Sequence, residues 1–252
     1  MKMTKVILEV CVDSVESAVA AVAGGADRLE LCSSLVDGGL TPTPGFLIQC
    51  KNLFCQKNIS FFCLIRCRPG NFIYDHNEVE IMKEDAKILR KHGADGFVFG
   101  ALSENGDVNM KICREIIRVC HPLPVTFHRA FDFCKRPTIE VEVIIDLGFE
   151  RILTSGKQQN AQLGVKLIQK LMEQVGNRII IMPGGGITKD NVKYILENTE
   201  AKEIHGSFKS LKEETETTQS EEDKVPIGER QGSSYVTSES TVSEIVDIIK
   251  NV

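Results

Sequence analysis

Two rhythms of apolar residues alternate along this chain. Short runs rich in β-branched and aromatic residues occur at 7–11 (ILEVC), 27–32 (DRLELC), 60–66 (SFFCLIR), 95–100 (DGFVFG), 123–128 (LPVTFH), 150–155 (ERILTS), 178–183 (RIIIMP) and 202–207 (KEIHGS). Their length predicts strands, and the continuous apolar ones predict strands covered on both faces. The segments between them carry apolar residues every three to four positions, the period of a helix with one buried face. Val15, Ala18, Val19 and Val22 mark 13–24, and an apolar run near 45–55 marks a second helix. Met82, Ala86 and Leu89 mark 77–92, and Ile112, Ile116 and Val119 mark 109–120. Ile139, Val143 and Leu147 mark a fifth helix, and Ile168, Leu171, Met172 and Val175 a sixth. A short helix is expected over 188–197 and a last one over 240–250, through Val242, Ile245, Val246 and Ile249. Asp13 with Glu16 three residues on predicts a capping box, and Gly24-Gly25 a helix stop.

Strand and helix therefore alternate eight times in about the ~250 residues of a (β/α)8 TIM barrel. The prediction is one barrel domain over 1–252. A repeated joint supports it: Gly25-Ala26-Asp27, Gly93-Ala94-Asp95 and Gly148-Phe149-Glu150 each lead from a helix into a strand. A doubly wound open sheet is the alternative, but no strand here is blunted by charge or proline as a sheet edge would be. One segment, 209–239, breaks the rhythm. It is rich in Glu, Ser, Thr and Lys, so it is expected to be a disordered insertion before the last helix.

Composition narrows the function classes. A net charge of -5 argues against a nucleic-acid partner, which needs a basic face. No apolar run reaches the ~18 residues of a membrane span, and the start MKMTKVILEV does not read as a signal peptide. The expected location is cytoplasmic, with the nucleus also open to the chain. There the nine cysteines are expected as thiols rather than disulfides.

The predicted strand ends gather chemistry, at the end of the barrel where active sites lie. Alternation puts Glu9 on one face with Cys11, and Glu30 on one face with Cys32. Strand 3 ends in Arg66, with Arg68 two residues on, and strand 5 ends in His128, followed by Arg129 and Asp132. Glu9, Glu30, His128 and Asp132 are candidate acid/base groups. Arg66, Arg68 and Arg129 could clamp an anion, or could form an ion-pair network with the carboxylates. Gly184, Gly185 and Gly186 after strand 7, with Gly206 and Ser207 after strand 8, sit where phosphate-binding barrels hold their anion. Whether this is an enzyme stays open at this level. Cys11 and Cys32 are expected at matching heights on adjacent strands, about 4.8 Å apart. Such thiols suit a soft cation such as Cu(I); an oxidisable pair fits equally, and on spacing alone inert residues are the favoured reading.

EVCVDSVESAVAAVAGGADRLELC, GGLTPTPG, GADGFVFGAL, TFHRAFD, LGFERILTSG and IMPGGGI, in this order between about 7 and 208, resemble the CutC copper-homeostasis family. The resemblance implies a (β/α)8 barrel, often a dimer or tetramer, linked to cytosolic copper handling. It also implies a Cu(I) site that falls on Cys11 and Cys32. A copper ion is then the first partner, and a small anionic ligand, acted on by carboxylate and histidine acid-base chemistry, the alternative. The chain departs from the family pattern at Cys67, where Pro is usual between the two arginines, and at Lys157, where some relatives carry a cysteine.

Overall fold

A computed structural model describes residues 5–211 and 235–252. In chain order the elements are β1 (Ile7–Val12), α1 (Val15–Ala23), β2 (Arg28–Leu31), α2 (Pro44–Leu53), β3 (Ser60–Leu64) and α3 (His76–Lys91). There follow β4 (Gly96–Phe99), α4 (Met110–Cys120), β5 (Val125–Phe127), α5 (Pro137–Leu147), β6 (Arg151–Thr154) and α6 (Val165–Val175). The chain ends with β7 (Ile180–Pro183), α7 (Val192–Thr199), β8 (Glu203–Gly206), β9 (Lys209–Leu211), β10 (Tyr235–Thr237) and α8 (Glu239–Lys250). Strands β1 to β8 form one parallel sheet in the order β7-β6-β5-β4-β3-β2-β1-β8. A parallel bridge between Gly184 and His205 joins its two ends. This is the (β/α)8 TIM barrel, and the bridge excludes the open doubly wound sheet.

Strand alternation builds two cores. Leu8, Val10, Val12, Leu29, Leu31 and their counterparts point outward and pack under the helices. Cys11, Cys32, Phe62, Leu64 and Val98 form a separate, smaller cluster inside the barrel. The repeated glycine joint has a clear physical role. Gly25, Gly93 and Gly148 all adopt left-handed φ (100°, 90° and 89°), which only glycine enters without cost. The acid two residues on then caps a neighbouring strand: the Asp27 carboxylate accepts from Leu8 N–H at 3.0 Å, and Asp95 from Phe61 N–H at 2.9 Å. Glu150 breaks this echo, its carboxylate lying 3.9 Å from Arg151.

Three local expectations are corrected. α1 is capped by Ser14, whose side chain accepts from Ser17 N–H, while Asp13 turns away to accept from Leu35 N–H and pair with Lys209. α7 starts at Val192, not directly after the glycines, because Gly185 and Gly186 hold left-handed φ (97° and 67°). The expected insertion at 209–239 is ordered at both margins, where β9 and β10 pair antiparallel. Its stretch 212–234 lies outside the described residues.

Candidate functional site

Barrel interiors are ordinarily filled by layers of branched apolar side chains. Here β1, β2, β6 and β8 send charge inward instead. Glu9, Arg28, Glu30, Arg151, Glu203 and His205 are all buried. In the lower layer Arg28 pairs with both Glu9 and Glu203, and Arg151 Nε lies 3.2 Å from the same Glu203 carboxylate. Both guanidiniums stand against the Phe62 ring, at 4.8 and 5.0 Å from its centroid. That ring fits because β4 presents Gly96: a Cβ there would meet Phe62 at 2.5 Å. Two arginines against two glutamates give a neutral floor, as a buried charge network requires.

Above the floor sit Cys11, Glu30 and His205. One ligand-type atom from each, sulfur, carboxylate oxygen and ring nitrogen, lies within 4.8 Å of the other two. His205 Nδ1 is 2.7 Å from Glu9 Oε1, and Nε2 is 3.6 Å from Glu30 Oε2. The strand register sets this trio. Cys11 stands opposite Glu30, and Glu9 opposite both Arg28 and His205. Cys11 and Cys32 are therefore not level, contrary to the matching heights expected from the sequence. The stagger between neighbouring barrel strands lifts Cys32 one inward position above Glu30, where its N–H donates to Val12 O at 2.9 Å. Both cysteines still belong to the same inner cluster.

Electrostatics separate the acids. Burial alone would push the Glu9 carboxyl up, but the charge of Arg28 and the hydrogen bond to His205 hold it down at about 2. Glu30 has no such arginine partner; burial outweighs the pull of His205 and lifts it to about 7. Burial disfavours charging His205, yet Cys11, Glu9 and Glu30 around it raise its pKa well above the usual imidazole value. Burial, then Glu30, push the Cys32 thiol up. The inner chamber thus holds two neighbouring groups, Glu30 and His205, between which a proton can be placed.

The other expected residues lie elsewhere on the mouth. Arg66 is buried and donates to Asp37 O, Gly39 O and Gly70 O at 2.9–3.0 Å. It neither pairs with Glu9 or Glu30 nor reaches the glycine turn. Arg68 is bound to Glu78 and to the carbonyls of Pro69, Asn71 and Ile73, so it pins its own loop to α3. His128 is packed against Phe72 rather than beside the inner carboxylates. Burial, then Arg66, depress its pKa to about 3. Asp132 accepts from Thr154 Oγ1, Ser155 N–H and Oγ–H, and Lys157 N–H, and pairs with Arg129 at 2.8 Å. Its lone pairs are used in holding the loop after β6. Arg129 does meet the glycine turn: a Cβ on Gly185 would stand 3.1 Å from its guanidinium carbon. Gly184 packs under Leu153, Gly186 against Asn160, and Gly206 against Phe208, each too closely for a side chain. Ser207 O accepts from Thr237 Oγ1 at 3.1 Å.

Arg28, Arg151, Glu203 and His205 were missed by the sequence reading. A signal was present: Arg28, Glu30 and Cys32, and likewise Glu203 and His205, recur every second residue in runs read as apolar.

Comparison with known proteins settles the family. The CutC family model matches residues 6–210. The chain belongs to the CutC family. It is 49% identical over 207 residues to the human copper homeostasis protein cutC homolog, covering 82% of this chain and 75% of that protein. A family protein CutC from Bacteroides thetaiotaomicron is 42% identical over 205 residues, covering 81% of this chain and 82% of that protein. Among solved structures, CutC from Streptococcus agalactiae superposes with a TM-score of 0.77 at 32% identity, over 80% of this chain and 98% of that one. Phosphoribosyl anthranilate isomerase from Thermotoga maritima superposes at 0.58 with 11% identity, over 98% of this chain and 100% of that one; this likeness shows the fold alone.

Proposed function

We propose that this CutC protein handles copper, taking up Cu(I) as cargo in the barrel mouth through Cys11 and Cys32. The observation that carries the reading is the pair of buried thiols in one inner cluster, with the His205 ring beside Cys11. Thiolate and imidazole are donors that a soft monovalent cation prefers, and the apolar wall of Phe62, Leu64 and Val98 excludes competing water. The names of the human and mouse relatives, copper homeostasis protein, agree with it. All nine cysteines are free thiols, which fits a protein working in the reducing cytoplasm, with the nucleus also open to it. A dimer or tetramer is the expected assembly.

The test is anaerobic competition for Cu(I) against a chromophoric chelator, with wild type and the Cys11→Ser/Cys32→Ser double variant. One Cu(I) per chain, lost in the double variant, is the expected result. His205→Gln should weaken binding about 10–100-fold, whether the ring is a ligand or only orients Cys11. Unchanged stoichiometry and affinity in the double variant would remove the reading.

One observation favours a second reading, an enzyme acting on a small anionic substrate. Glu30, at about 7, is an acid/base group poised near neutrality beside His205, whose pKa is raised well above the usual imidazole value. In that reading Glu30 keeps its expected acid/base role, Glu9 stays ionised against Arg28 and His205, and His205 takes the place expected for His128. Deuterium exchange into small carbonyl acids in D2O would detect it. No exchange above buffer, or equal exchange with Glu30→Gln, would dismiss it.

A further inference from the structure

Away from the inner chamber, three buried donors have no acceptor: Arg66 Nε, the Tyr74 hydroxyl and His128 Nε2. Their residues are only 5%, 6% and 6% exposed. They come together at the carboxyl ends of β3 and β5: Arg66 and His128 stand against one aromatic ring, Phe72, and Tyr74 lies beside Arg66. The Arg66 guanidinium carbon lies 5.0 Å from the Phe72 centroid, and the His128 ring 4.8 Å from it. The Tyr74 hydroxyl lies within hydrogen-bonding reach of the Arg66 guanidinium, which can only donate to it, so the hydroxyl proton has no acceptor. A buried donor left unmatched is costly, so three in one place point to an acceptor that binds there.

The protonation pattern defines that acceptor. His128 Nδ1 accepts from Ala130 N–H at 3.1 Å, so the ring proton sits on Nε2, a buried donor. With its pKa depressed to about 3, the ring is neutral at physiological pH. Tyr74 is also neutral, burial having raised its hydroxyl above the usual phenol value. Arg66 spends its hydrogen bonds on three backbone carbonyls and none on a carboxylate. One fixed positive charge and two neutral donors match a ligand with several lone pairs and a single negative charge. A metal cation is rejected by the same set. Gly100 clears the space for the His128 ring, since a Cβ there would stand 2.6 Å from Nδ1. Phe72 packs on the exposed Phe133 at 5.6 Å and roofs the cluster.

We propose that Arg66, Tyr74 and His128 form a binding site for one small monocarboxylate, under Phe72 and separate from the Cys11–Glu30–His205 chamber. The carboxylate accepts from Arg66 Nε–H on one oxygen and from Tyr74 and His128 on the other. Its binding locks the loop between β3 and α3, which already hangs by its carbonyls on Arg66 and Arg68.

The experiment titrates sodium acetate against ionic-strength-matched sodium chloride, using the full chain. Thermal unfolding and the histidine Nε2–H resonances are read for wild type, Tyr74→Phe and Arg66→Lys. Acetate should raise the wild-type melting temperature saturably and shift the His128 Nε2–H resonance. Tyr74→Phe, which changes no shape, should raise the half-saturating concentration about tenfold by removing one bond to a charged acceptor. If Arg66→Lys does not fold, Tyr74→Phe decides alone. The Cys11→Ser/Cys32→Ser variant should respond as wild type, which separates this site from copper. The proposal is overturned by an equal response in Tyr74→Phe, by no response to acetate (an ordered water serving the donors), or by phosphate binding more tightly than acetate.

Discussion

Arg28 carries more of this molecule than its position in an apolar run suggests. Its guanidinium joins Glu9 on β1 to Glu203 on β8, with Met182 Sδ at 3.5 Å and the Phe62 face beside it. Removing it leaves two carboxylates at the centre of a barrel, with Arg151 left to answer Glu203 and His205 to answer Glu9. Breaking a buried pair in this way costs about 3–5 kcal/mol. Arg28→Ala is therefore expected to lose about that much stability in chemical denaturation, or to fail to fold. Arg28→Met with Glu9→Gln should recover a large part of it, because the charge imbalance goes with the partner. A loss under 1 kcal/mol in the single variant would show that water reaches the floor of the chamber. Residue identity alone could not have revealed this role. Glu9, Glu30, Cys11 and Cys32 were legible as inward groups from alternation, but the partners come from β2, β6 and β8. Which of them meet is set by strand stagger, and stagger leaves no local mark in the sequence. The same limit explains Arg66: its charge was legible, but the loop carbonyls that claim it were not.

At the scale of elements, what was legible was what local chemistry dictates. The eight strands follow from period and are found; the left-handed glycine holds at all three joints and the capping acid at two, Asp27 and Asp95. α3 is the best-specified helix, opened by a full capping box of Asp75 and Glu78. What was not legible was the way strands make room for one another. β4 places Gly96 where the Phe62 ring from β3 crosses the barrel axis, and Phe62 is what the two inner guanidiniums lean on. From sequence this glycine reads only as a weak point in a strand. Gly96→Ala is expected to force Phe62 off its rotamer and to cost about 1–3 kcal/mol, as overpacking does. The measurement is the denaturation midpoint, paired with Cu(I) affinity, since a displaced Phe62 disturbs the wall around Cys11 and Cys32. Wild-type stability in this variant would mean that the ring can move freely, and the floor would not depend on it.

For the whole molecule, the barrel closes in two ways at the same seam. Inside, the bridge between Gly184 and His205 joins β7 to β8, and Glu9, Arg28 and Glu203 tie β8 to β1 and β2. Outside, β9 and β10 pair as a ribbon between β8 and α8, with Thr237 N–H donating to Ser17 Oγ on α1 and Thr237 Oγ1 to Ser207 O. The ribbon therefore fixes where the chain re-enters the barrel after β8, and it seats α8 against α1. Those tasks are complete within 209–211 and 235–237. The family model ends at 210, so the stretch 212–234 is not needed to define the shared barrel. Its composition is rich in Glu and poor in apolar residues. Replacing 212–234 by a two-residue Asn-Gly turn should let β9 and β10 close as a tight hairpin. The expected result is a melting temperature within about 2 °C of wild type and unchanged Cu(I) stoichiometry; for a chain of this size about 1 kcal/mol corresponds to roughly 2–4 °C. A larger fall, or loss of cooperative unfolding, would show that the deleted stretch packs as part of the barrel.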